Sequence, residues 1–488
     1  MAALKGDTEL EHALTLKQKA LQINLNEHIY GKFAEIGAGQ ETVRHFFRAG
    51  GASGTIAKAM SAYDKEFSDA IYGVEPDKRY VTESRLRKML AHEIDLIEHR
   101  IDREKHPHKI FFTYANTVTT IDFAKQFKGH GWVGIKFQMD PLEDYNEIVI
   151  HCRFKETDSR LQQETLGMLG VNLIYGAFYI NDKPKEMIES FYDNIDKDSV
   201  EIDMVDFSGP RFMYVDNRLM SLYLVKNGMT NAVMFNPNGN NLLPAQVLYK
   251  KNILAFRGSF RPVTKVNLDI FEKSKQLFFA EKRVDEKNTQ TIFEMTLANL
   301  ISEGGKINER DFLDRAELLC SLGQTVMITN FQEYYKLVEY FSEFTKARMG
   351  LAMGVYNLIQ IFDEKYYRHL SGGILEAFGK LFYKDLKIYL YPLMDIETGE
   401  IITSESLRVH PRMKELYKYF KFNGRIVDID NYNPEILDVY SRTAFKMIAQ
   451  GKKGWEDMLP PGVAEIIKTK RLFGYNPRRV EKTKGPAL

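Results

Sequence analysis

The sequence predicts an α/β protein with two domains, each built on a mostly parallel or mixed sheet flanked by helices. The first observation is length, because 488 residues exceed the size at which one hydrophobic core usually stops growing. The second is a repeated alternation of strand-like apolar segments with segments whose apolar residues recur at helical spacing, which is typical of sheets covered by helices. The third is composition, since 44% hydrophobic and 27% charged residues suit an ordinary globular core.

The first domain is predicted to span residues 1–250. It opens with an amphipathic helix, and FAEIGAGQETVRHFFRAG then indicates a strand, a glycine turn and a helix. A long charged helix follows a Thr/Ser cap signal in TESRLRKMLAHEIDLIEHR. Three strands separated by Gly, Asp and Pro turns then predict an antiparallel or mixed section of sheet: KIFFTYANTVT, GWVGIKFQM and NEIVIHCRF. Further alternation leads to the buried strand NILAFRGSF.

The second domain is predicted to span residues 251–474. Its helices and strands alternate from NLDIFEKSKQLFF through TQTIFEMTL, NERDFLDRAELLCSLG and TVMITNF to LKIYLYPLMD and GRIVDID. Such alternation favours a mostly parallel sheet, in which ligands usually bind at the carboxyl ends of the strands. Residues 475–488 are basic and contain Pro and Gly, and we expect them to form a mobile tail.

Charge and cysteine content narrow the class of protein. The formal net charge is +1, so no field of the whole protein would attract nucleic acid or anionic lipid, and neither partner is favoured. Two cysteines, Cys152 and Cys320, are too few for a disulfide framework and are expected to be buried thiols. The first residues lack the apolar core of a signal peptide, and no apolar run reaches the length of a membrane span, so we expect a cytoplasmic protein.

The strongest functional signal is GSFRPVTKVNLDI at residues 258–270, which lies between a predicted buried strand and a predicted helix. It resembles the loop of the nucleotidylyltransferase superfamily, which includes nicotinate-nucleotide and phosphopantetheine adenylyltransferases and has the approximate pattern G-[ST]-F-D-P-[VF]-[HT]-x-G-H-L-D. Eight positions match: Gly258, Ser259, Phe260, Pro262, Val263, Thr264, Leu268 and Asp269. The resemblance implies that ATP binds here for adenylyl transfer, with phosphate held by backbone N–H groups and the helix N-terminus.

Three positions depart from that family pattern, Arg261, Val266 and Asn267, and Lys265 fills its variable position. Asn267 replaces the histidine that stabilises the departing pyrophosphate, and an amide cannot become cationic. Arg261 and Lys265 add positive charge that would neutralise phosphates. The resemblance therefore implies a nucleotide-binding set and a catalytic set of residues. The nucleotide would be held by Gly258, Ser259, Phe260 and Thr264. Arg261 and Lys265 would neutralise its phosphates, and Asn267 would stand in for the missing histidine. The alternative needs no ligand: a strand, a Pro-containing turn and a helix capped by Thr264 or Asn267.

Two other turns resemble ligand-binding motifs. TIFEMTLANLISEGG followed by TVMITN is similar to the first two motifs of haloacid-dehalogenase-type phosphatases, with Glu294 and Thr296 in place of the two aspartates and Thr329 at the phosphate-binding position. Covalent chemistry is not expected there, and two ordinary buried strands explain the pattern. FAEIGAGQE resembles motif I of S-adenosylmethionine-dependent methyltransferases through Glu35, Gly37 and Gly39, although tight turns between a strand and a helix need glycine in any case.

Other site types have little support. The sequence contains no HExxH motif and no Cys/His quartet, so no metal site is predicted. The basic and aromatic segments YFSEFTKARMG and KELYKYFKF have helical spacing, which indicates core with a solvated rim rather than a nucleic-acid surface.

The sequence thus predicts a protein that binds a small nucleotide, with adenylyl transfer from ATP and Mg²⁺ to a mononucleotide such as nicotinate mononucleotide as the implied chemistry. The alternative is a non-catalytic structural or regulatory protein, as a homo-oligomer, whose eroded loops keep only a folding role.

Overall fold

The computed structural model describes residues 13–125, 128–301, 306–383, 386–395 and 397–477. The chain divides into two compact units at Thr230/Asn231. The sequence prediction placed the boundary at residue 250. The structure assigns residues 231–250 to the second unit because two short strands within them pair with its sheet. Most of the predicted tail, residues 478–488, and residues 1–12 of the predicted N-terminal segment lie outside the described ranges.

The first unit contains a six-stranded mixed sheet. Its strands are β1 Ile29–Gly37, β2 Ile56–Ala62, β3 Ile110–Thr119, β4 His130–Phe137, β5 Asn146–Phe154 and β6 Val200–Ser208. Their order is β2-β1-β3-β4-β5-β6. The first three strands are mutually parallel and the last four form an antiparallel meander, which confirms the mixed section predicted from the sequence.

Helices cover both faces of this sheet. They are α1 Leu16–Asn24, α2 Glu41–Ala49, α3 Lys65–Tyr72, α4 Glu83–Arg100, α5 Ser159–Tyr179, α6 Pro184–Ser190 and α7 Asn217–Lys226. On one face, Phe112 and Tyr114 of β3 share a core with Leu169 and Leu173 of α5. On the other face α4 packs so closely that a Cβ at Gly134 would lie 3.1 Å or less from its leucines. Because side chains alternate along a strand, each face has its own core.

The second unit contains an eight-stranded sheet and a separate two-stranded ribbon. The strands are β7 Ala232–Phe235, β8 Asn241–Leu242, β9 Asn252–Arg257, β10 Thr289–Thr296, β11 Val326–Thr329, β12 Met349–Gly354, β13 Lys387–Tyr391, β14 Leu393–Met394, β15 Ile401–Ile402 and β16 Ile426–Asp428. The large sheet has the order β16-β13-β12-β9-β10-β11-β7-β8, and β14 pairs with β15. The six strands from β16 to β11 are parallel, whereas β7 and β8 are antiparallel additions at one edge.

In the described part of the second unit, helices lie between successive strands, and the last two follow the final strand. They are α8 Pro244–Val247, α9 Lys265–Phe279, α10 Leu297–Leu300, α11 Glu309–Ser321, α12 Tyr334–Phe344, α13 Val355–Ile361, α14 Gly373–Leu381, α15 Lys414–Phe422, α16 Ser441–Gln450 and α17 Val463–Lys470. Helix α9 packs on one face, where Phe271 meets Phe293 with ring centroids 4.6 Å apart. Helices α12 and α14 share the other face's core with strands β9 to β13. The two units confirm the predicted α/β class with two sheets flanked by helices.

The parallel part of this sheet has a point where the strand order reverses. Strands β9, β10 and β11 follow each other in one direction, and β12, β13 and β16 then extend from the opposite side of β9. This is the 3-2-1-4-5-6 order of doubly wound sheets, in which ligands bind outside the carboxyl ends of the strands at the reversal. The reversal lies between β9 and β12.

None of the helices in the described part of the chain combines the length and the apolar content needed to cross a bilayer. Both cysteine thiols are buried, as the sequence predicts.

Candidate functional site

The loop singled out from the sequence begins where β9 ends, at the reversal of strand order. Arg257 is the last residue of β9, and Lys265 is the first residue of α9. The neighbouring strand β12 ends at Gly354, where an added Cβ would meet no atom within 4 Å. Residues 258–264 therefore occupy the edge of the sheet at which doubly wound proteins bind ligands.

Phe260 holds the loop onto the sheet. Its side chain is buried, with ring centroids 5.2 Å from Phe256 and 5.1 Å from Phe293. Its φ is +49°, a left-handed conformation that is a genuine outlier for a bulky residue. A Cβ on Gly258 would lie 2.8 Å from the Phe260 ring, so glycine is needed there. The sequence resemblance implies contact of Phe260 with a nucleotide, whereas the structure places its ring in the core.

The backbone of this loop has unused donors. Gly258 donates its N–H to the carbonyl of Glu294, 3.1 Å away. Within the described part of the chain, the N–H groups of Ser259, Phe260 and Arg261 donate to no acceptor. Consecutive amides around a left-handed residue are the arrangement that forms concave anion-binding sites. The Ser259 side chain is exposed, and its hydroxyl likewise makes no hydrogen bond among the described residues.

Asn267 is engaged at the start of α9. Its Oδ1 accepts from the backbone N–H of Thr264 at 3.0 Å and from the Thr264 hydroxyl at 3.1 Å. The hydroxyl of Ser441 donates to the same oxygen at 3.3 Å. Thr264 is buried, and the pair forms a capping box that closes the helix. This is the local arrangement that the ligand-free alternative predicted.

The cations of the loop differ in their partners. The Arg261 Nε donates to Asp311 Oδ1, and its guanidinium carbon lies 3.9 Å from the centroid of the Phe445 ring. Asp311 also binds Arg315, whose Nη1 donates to the Ser259 carbonyl at 3.1 Å. By contrast, the Lys265 ammonium makes no hydrogen bond or ion pair with any described residue.

Asp269, the last matched position of the family pattern, is also engaged. Its Oδ2 accepts from the Tyr391 hydroxyl at 2.6 Å and from the Asn433 N–H at 3.0 Å. These bonds tie α9 to the end of β13. Burial, together with the hydrogen bond to Asp269, raises the pKa of Tyr391 well above its ordinary value, so the phenol stays a donor.

The phosphatase-like region is a buried ion pair between strands. Arg257 donates to Glu294 through Nε at 2.5 Å and through Nη2 at 3.0 Å, and the Thr329 hydroxyl donates to the same carboxylate at 2.5 Å. Arg257 Nη1 also donates to the Gln332 carbonyl at 2.9 Å. Both carboxylate oxygens of Glu294 therefore accept hydrogen bonds within the fold. The Thr296 hydroxyl accepts from the Asn299 N–H and caps α10. The two predicted buried strands are confirmed as β10 and β11.

The glycine turn of the first unit is filled by its own side chains. Gln40 donates through Nε2 to Ser61 Oγ at 2.7 Å and to the Gly37 carbonyl at 2.5 Å. Asn116 donates to the Gly39 carbonyl at 3.1 Å, and a Cβ at Gly39 would lie 1.8 Å from its Oδ1. Gly37 has φ +79°, which explains that glycine without a cofactor.

Glu35, next to this turn, is only 2% exposed, and its Oε1 has no hydrogen-bond partner among the described residues. Burial, assisted by the charge of Glu41, raises the pKa of Glu35 to about 8. The carboxyl is therefore protonated at neutral pH.

Several polar groups around these sites were not found from the sequence. Asp311 and Arg315 form an (i, i+4) pair at the start of α11, and that spacing is visible in the sequence. Nothing local indicates that Asp311 also binds Arg261, which is 50 positions away. In the first unit, His130 Nδ1 lies 3.1 Å from His151 Nε2, and His151 Nδ1 lies 2.5 Å from Asp203.

No group of three or more metal-binding side chains occurs in the part of the chain that the structure describes. No family model and no curated protein matches the sequence.

Solved structures match part of the chain. A competence-damaged protein (CinA) superfamily protein from Enterobacter cloacae has 12% identity and a TM-score of 0.24, covering 36% of this chain and 98% of its own. The competence/damage-inducible protein CihA from Agrobacterium tumefaciens has 14% identity and a TM-score of 0.24, covering 36% and 97%. The competence damage-inducible protein A from Klebsiella pneumoniae has 12% identity and a TM-score of 0.23, covering 33% and 91%. TM-scores this far below 0.5 do not establish a shared fold with these proteins.

Proposed function

We propose that the second unit binds the phosphate groups of a small nucleotide, such as ATP with Mg²⁺, at the loop between β9 and α9. The observation that carries the proposal is the position of residues 258–264 at the carboxyl end of β9, where the strand order reverses. Ligands of doubly wound sheets bind in the crevice at this point.

The loop supplies suitable donors for phosphate. Three consecutive N–H groups, from Ser259 to Arg261, have no acceptor among the described residues, and they precede the positive end of the α9 dipole. Lys265 adds an uncommitted cation at the first position of that helix. Phe260 keeps the strained loop in place by burying its ring.

The same geometry favours nucleotide binding over catalysis of adenylyl transfer. Asn267 would have to leave the capping box to reach a pyrophosphate, and Arg261 would have to leave Asp311. Adenylyl transfer to a mononucleotide such as nicotinate mononucleotide would be an additional step beyond nucleotide binding. It requires both side chains to change partners when the nucleotide binds.

A second candidate is a non-catalytic structural or regulatory role in a homo-oligomer in the cytoplasm. The observation that favours it is that Thr264, Asn267, Arg261 and Asp269 all have partners within the fold. In this case the loop shapes the start of α9 and needs no ligand.

Calorimetric titration of the full-length protein with ATP and Mg²⁺ separates these candidates. We expect saturable binding that Lys265→Ala weakens about tenfold, because a hydrogen bond to a charged group contributes on the order of 1.5–3 kcal/mol. Lys273→Ala removes the same charge further along α9 and serves as the matched control. Absence of heat up to millimolar ATP contradicts nucleotide binding.

Release of pyrophosphate in the presence of ATP and nicotinate mononucleotide then tests the chemistry. Saturable binding without release indicates a nucleotide-binding protein that does not transfer the adenylyl group to this acceptor.

A further inference from the structure

A second polar cavity of the second unit is lined by two segments, one around the end of α13 and one that leads into α15. Its volume is about 500 Å³. The buried rings of Phe362, at the end of α13, and Tyr417, in α15, hold these segments together with centroids 5.1 Å apart. Residues 258–265 of the β9–α9 loop do not line this cavity, so it is a separate site.

Cations outnumber carboxylates among the side chains that line this cavity. The six charged residues are Lys365, Arg368, Arg408 and Arg412, with Asp363 and Glu364 as the carboxylates. The described lining therefore carries a net charge of +2.

Three of these cations have no ion pair. Lys365 is matched, because its Nζ lies 2.6 Å from Asp363 Oδ2 and its backbone N–H donates to Asp363 Oδ1 at 3.1 Å. Arg368 is attracted to the same carboxylate but makes no hydrogen bond or ion pair with it. The guanidinium groups of Arg408 and Arg412 also donate to no acceptor in the described part of the chain. All three arginine side chains are exposed.

The number and type of these cations favour a phosphate group. Like charges held together disfavour the folded chain unless an anion joins them, and guanidinium groups bind phosphate through paired N–H donors. A phosphomonoester carries a charge of about −1.5 to −2 and offers three acceptor oxygens, which suits a lining of this charge with three guanidinium groups. A carboxylate offers a single charge and two oxygens.

The cavity also presents apolar surface to its ligand. Ile359 is 39% exposed and Val409 is partly exposed, and both line the cavity beside the buried side chains of Phe362 and Met413. The cavity volume falls within the range of small-molecule sites, about 300–1,000 Å³. A phosphate ion alone would leave this apolar surface in water, so a ligand with an apolar group fits the cavity better.

We propose that this cavity binds a small phosphomonoester. Its phosphate contacts Arg368, Arg408 and Arg412, and its apolar group lies against Ile359 and Val409. The proposal does not rest on nucleotide binding at the β9–α9 loop.

Phenyl phosphate is the probe, because it joins one phosphomonoester to one apolar ring. Calorimetry with the full-length protein should show saturable binding that weakens as salt is raised. Arg408→Gln/Arg412→Gln should weaken binding about tenfold or more, because it removes charged donors to phosphate. The control, Lys452→Gln/Lys453→Gln, removes two exposed cations elsewhere in the second unit and should leave the affinity within about twofold. Equal affinities of the two double variants would overturn the proposal.

Further arms identify the site and the part of the ligand that is recognised. Lys265→Ala should leave the affinity for phenyl phosphate unchanged, and a loss of binding in that variant would place the anion at the loop and overturn the proposal. Benzoate and inorganic phosphate should each bind more weakly than phenyl phosphate. Equal binding of benzoate would overturn the assignment to a phosphate group, and equal binding of inorganic phosphate would overturn the assignment to an ester with an apolar group. Binding of a short single-stranded oligonucleotide without binding of phenyl phosphate would also contradict a small-molecule site.

Discussion

Each unit buries a glutamate near the carboxyl end of a parallel strand, and the two are neutralised in different ways. Glu294 of β10 is fully buried and faces the guanidinium of Arg257 and the hydroxyl of Thr329. Glu35 of β1 is almost as buried, but one of its oxygens has no partner among the described residues, and its pKa rises to about 8. The first carboxyl is balanced by an ion pair and the second by a proton. A buried glutamate is therefore not evidence of a catalytic site until its partners are known.

The turn near Glu35 and the loop near Glu294 differ in whether their polar backbone groups have partners. The turn after β1 is filled by Gln40 and Asn116, whereas the loop after β9 keeps three backbone donors free of acceptors in the described chain. The sequences of both turns contain glycines between a strand and a helix, so pattern alone does not separate them.

The largest effect is expected from breaking the ion pair. Glu294→Gln should lower the free energy of unfolding of the second unit by about 3–5 kcal/mol, because it leaves Arg257 charged and buried. Denaturant unfolding followed by Trp455 fluorescence in a Trp132→Phe background reports this unit, since each unit contains one buried tryptophan.

The control replaces both partners. Arg257→Met/Glu294→Leu should recover most of the lost stability, because no uncompensated charge remains. If the double variant is as unstable as Glu294→Gln, the hydrogen bonds to Thr329 and Gln332, rather than the ion pair, stabilise this region.

A smaller effect is expected from pH on the first unit. Unfolded Glu35 titrates near its ordinary value of 4.5, while the folded carboxyl titrates at about 8. Between these values the folded chain holds a proton that the unfolded chain releases, so rising pH favours unfolding. The stability contribution is complete below about pH 4.5 and is lost as the pH approaches 8.

Denaturant unfolding of the Trp455→Phe variant, followed through Trp132, measures this dependence. The free energy of unfolding should fall by about 3 kcal/mol between about pH 5.5 and about pH 7.5. Glu35→Gln should remove that slope. An equal slope in the variant would assign the pH dependence to another group.

The smallest effect is expected at the start of α9. Asn267→Ala should lower the stability of the second unit by about 1 kcal/mol, because Thr264 loses its partner in the capping box. Asn238→Ala, at an exposed loop position of the same unit, is the matched control and should change stability little. If Asn267→Ala leaves the thermal unfolding temperature unchanged, the Asn267 side chain does not stabilise the start of α9, and a role in ligand binding would be favoured.

Much of the fold was predictable because it depends on neighbours in sequence. Alternation and helical spacing predicted β3, β4 and β5 as an antiparallel or mixed section and α4 as a helix. The residue types at Thr264 and Asn267 predicted a helix start, and the structure confirms a capping box there. The position of the loop between a buried strand and a helix is also confirmed.

The boundary between the units was not predictable in this way. β7 and β8 follow the first unit in sequence, and a local pattern cannot show that β7 pairs with β11, more than ninety positions later. The partners of Arg261 and Glu294 were hidden for the same reason, since Asp311 and Arg257 are brought to them by tertiary packing.

The sequence by itself determined which segments become helices and strands, where α9 starts, and that a glycine-containing loop follows β9, because these depend on spacing and on hydrogen bonds between near neighbours. Only the tertiary structure decided that this loop lies at the reversal of strand order, and that Arg261 faces Asp311 while Lys265 has no partner among the described residues. Strand order and ion pairing join residues that are distant in the chain, and the burial that makes them matter arises only when the chain folds.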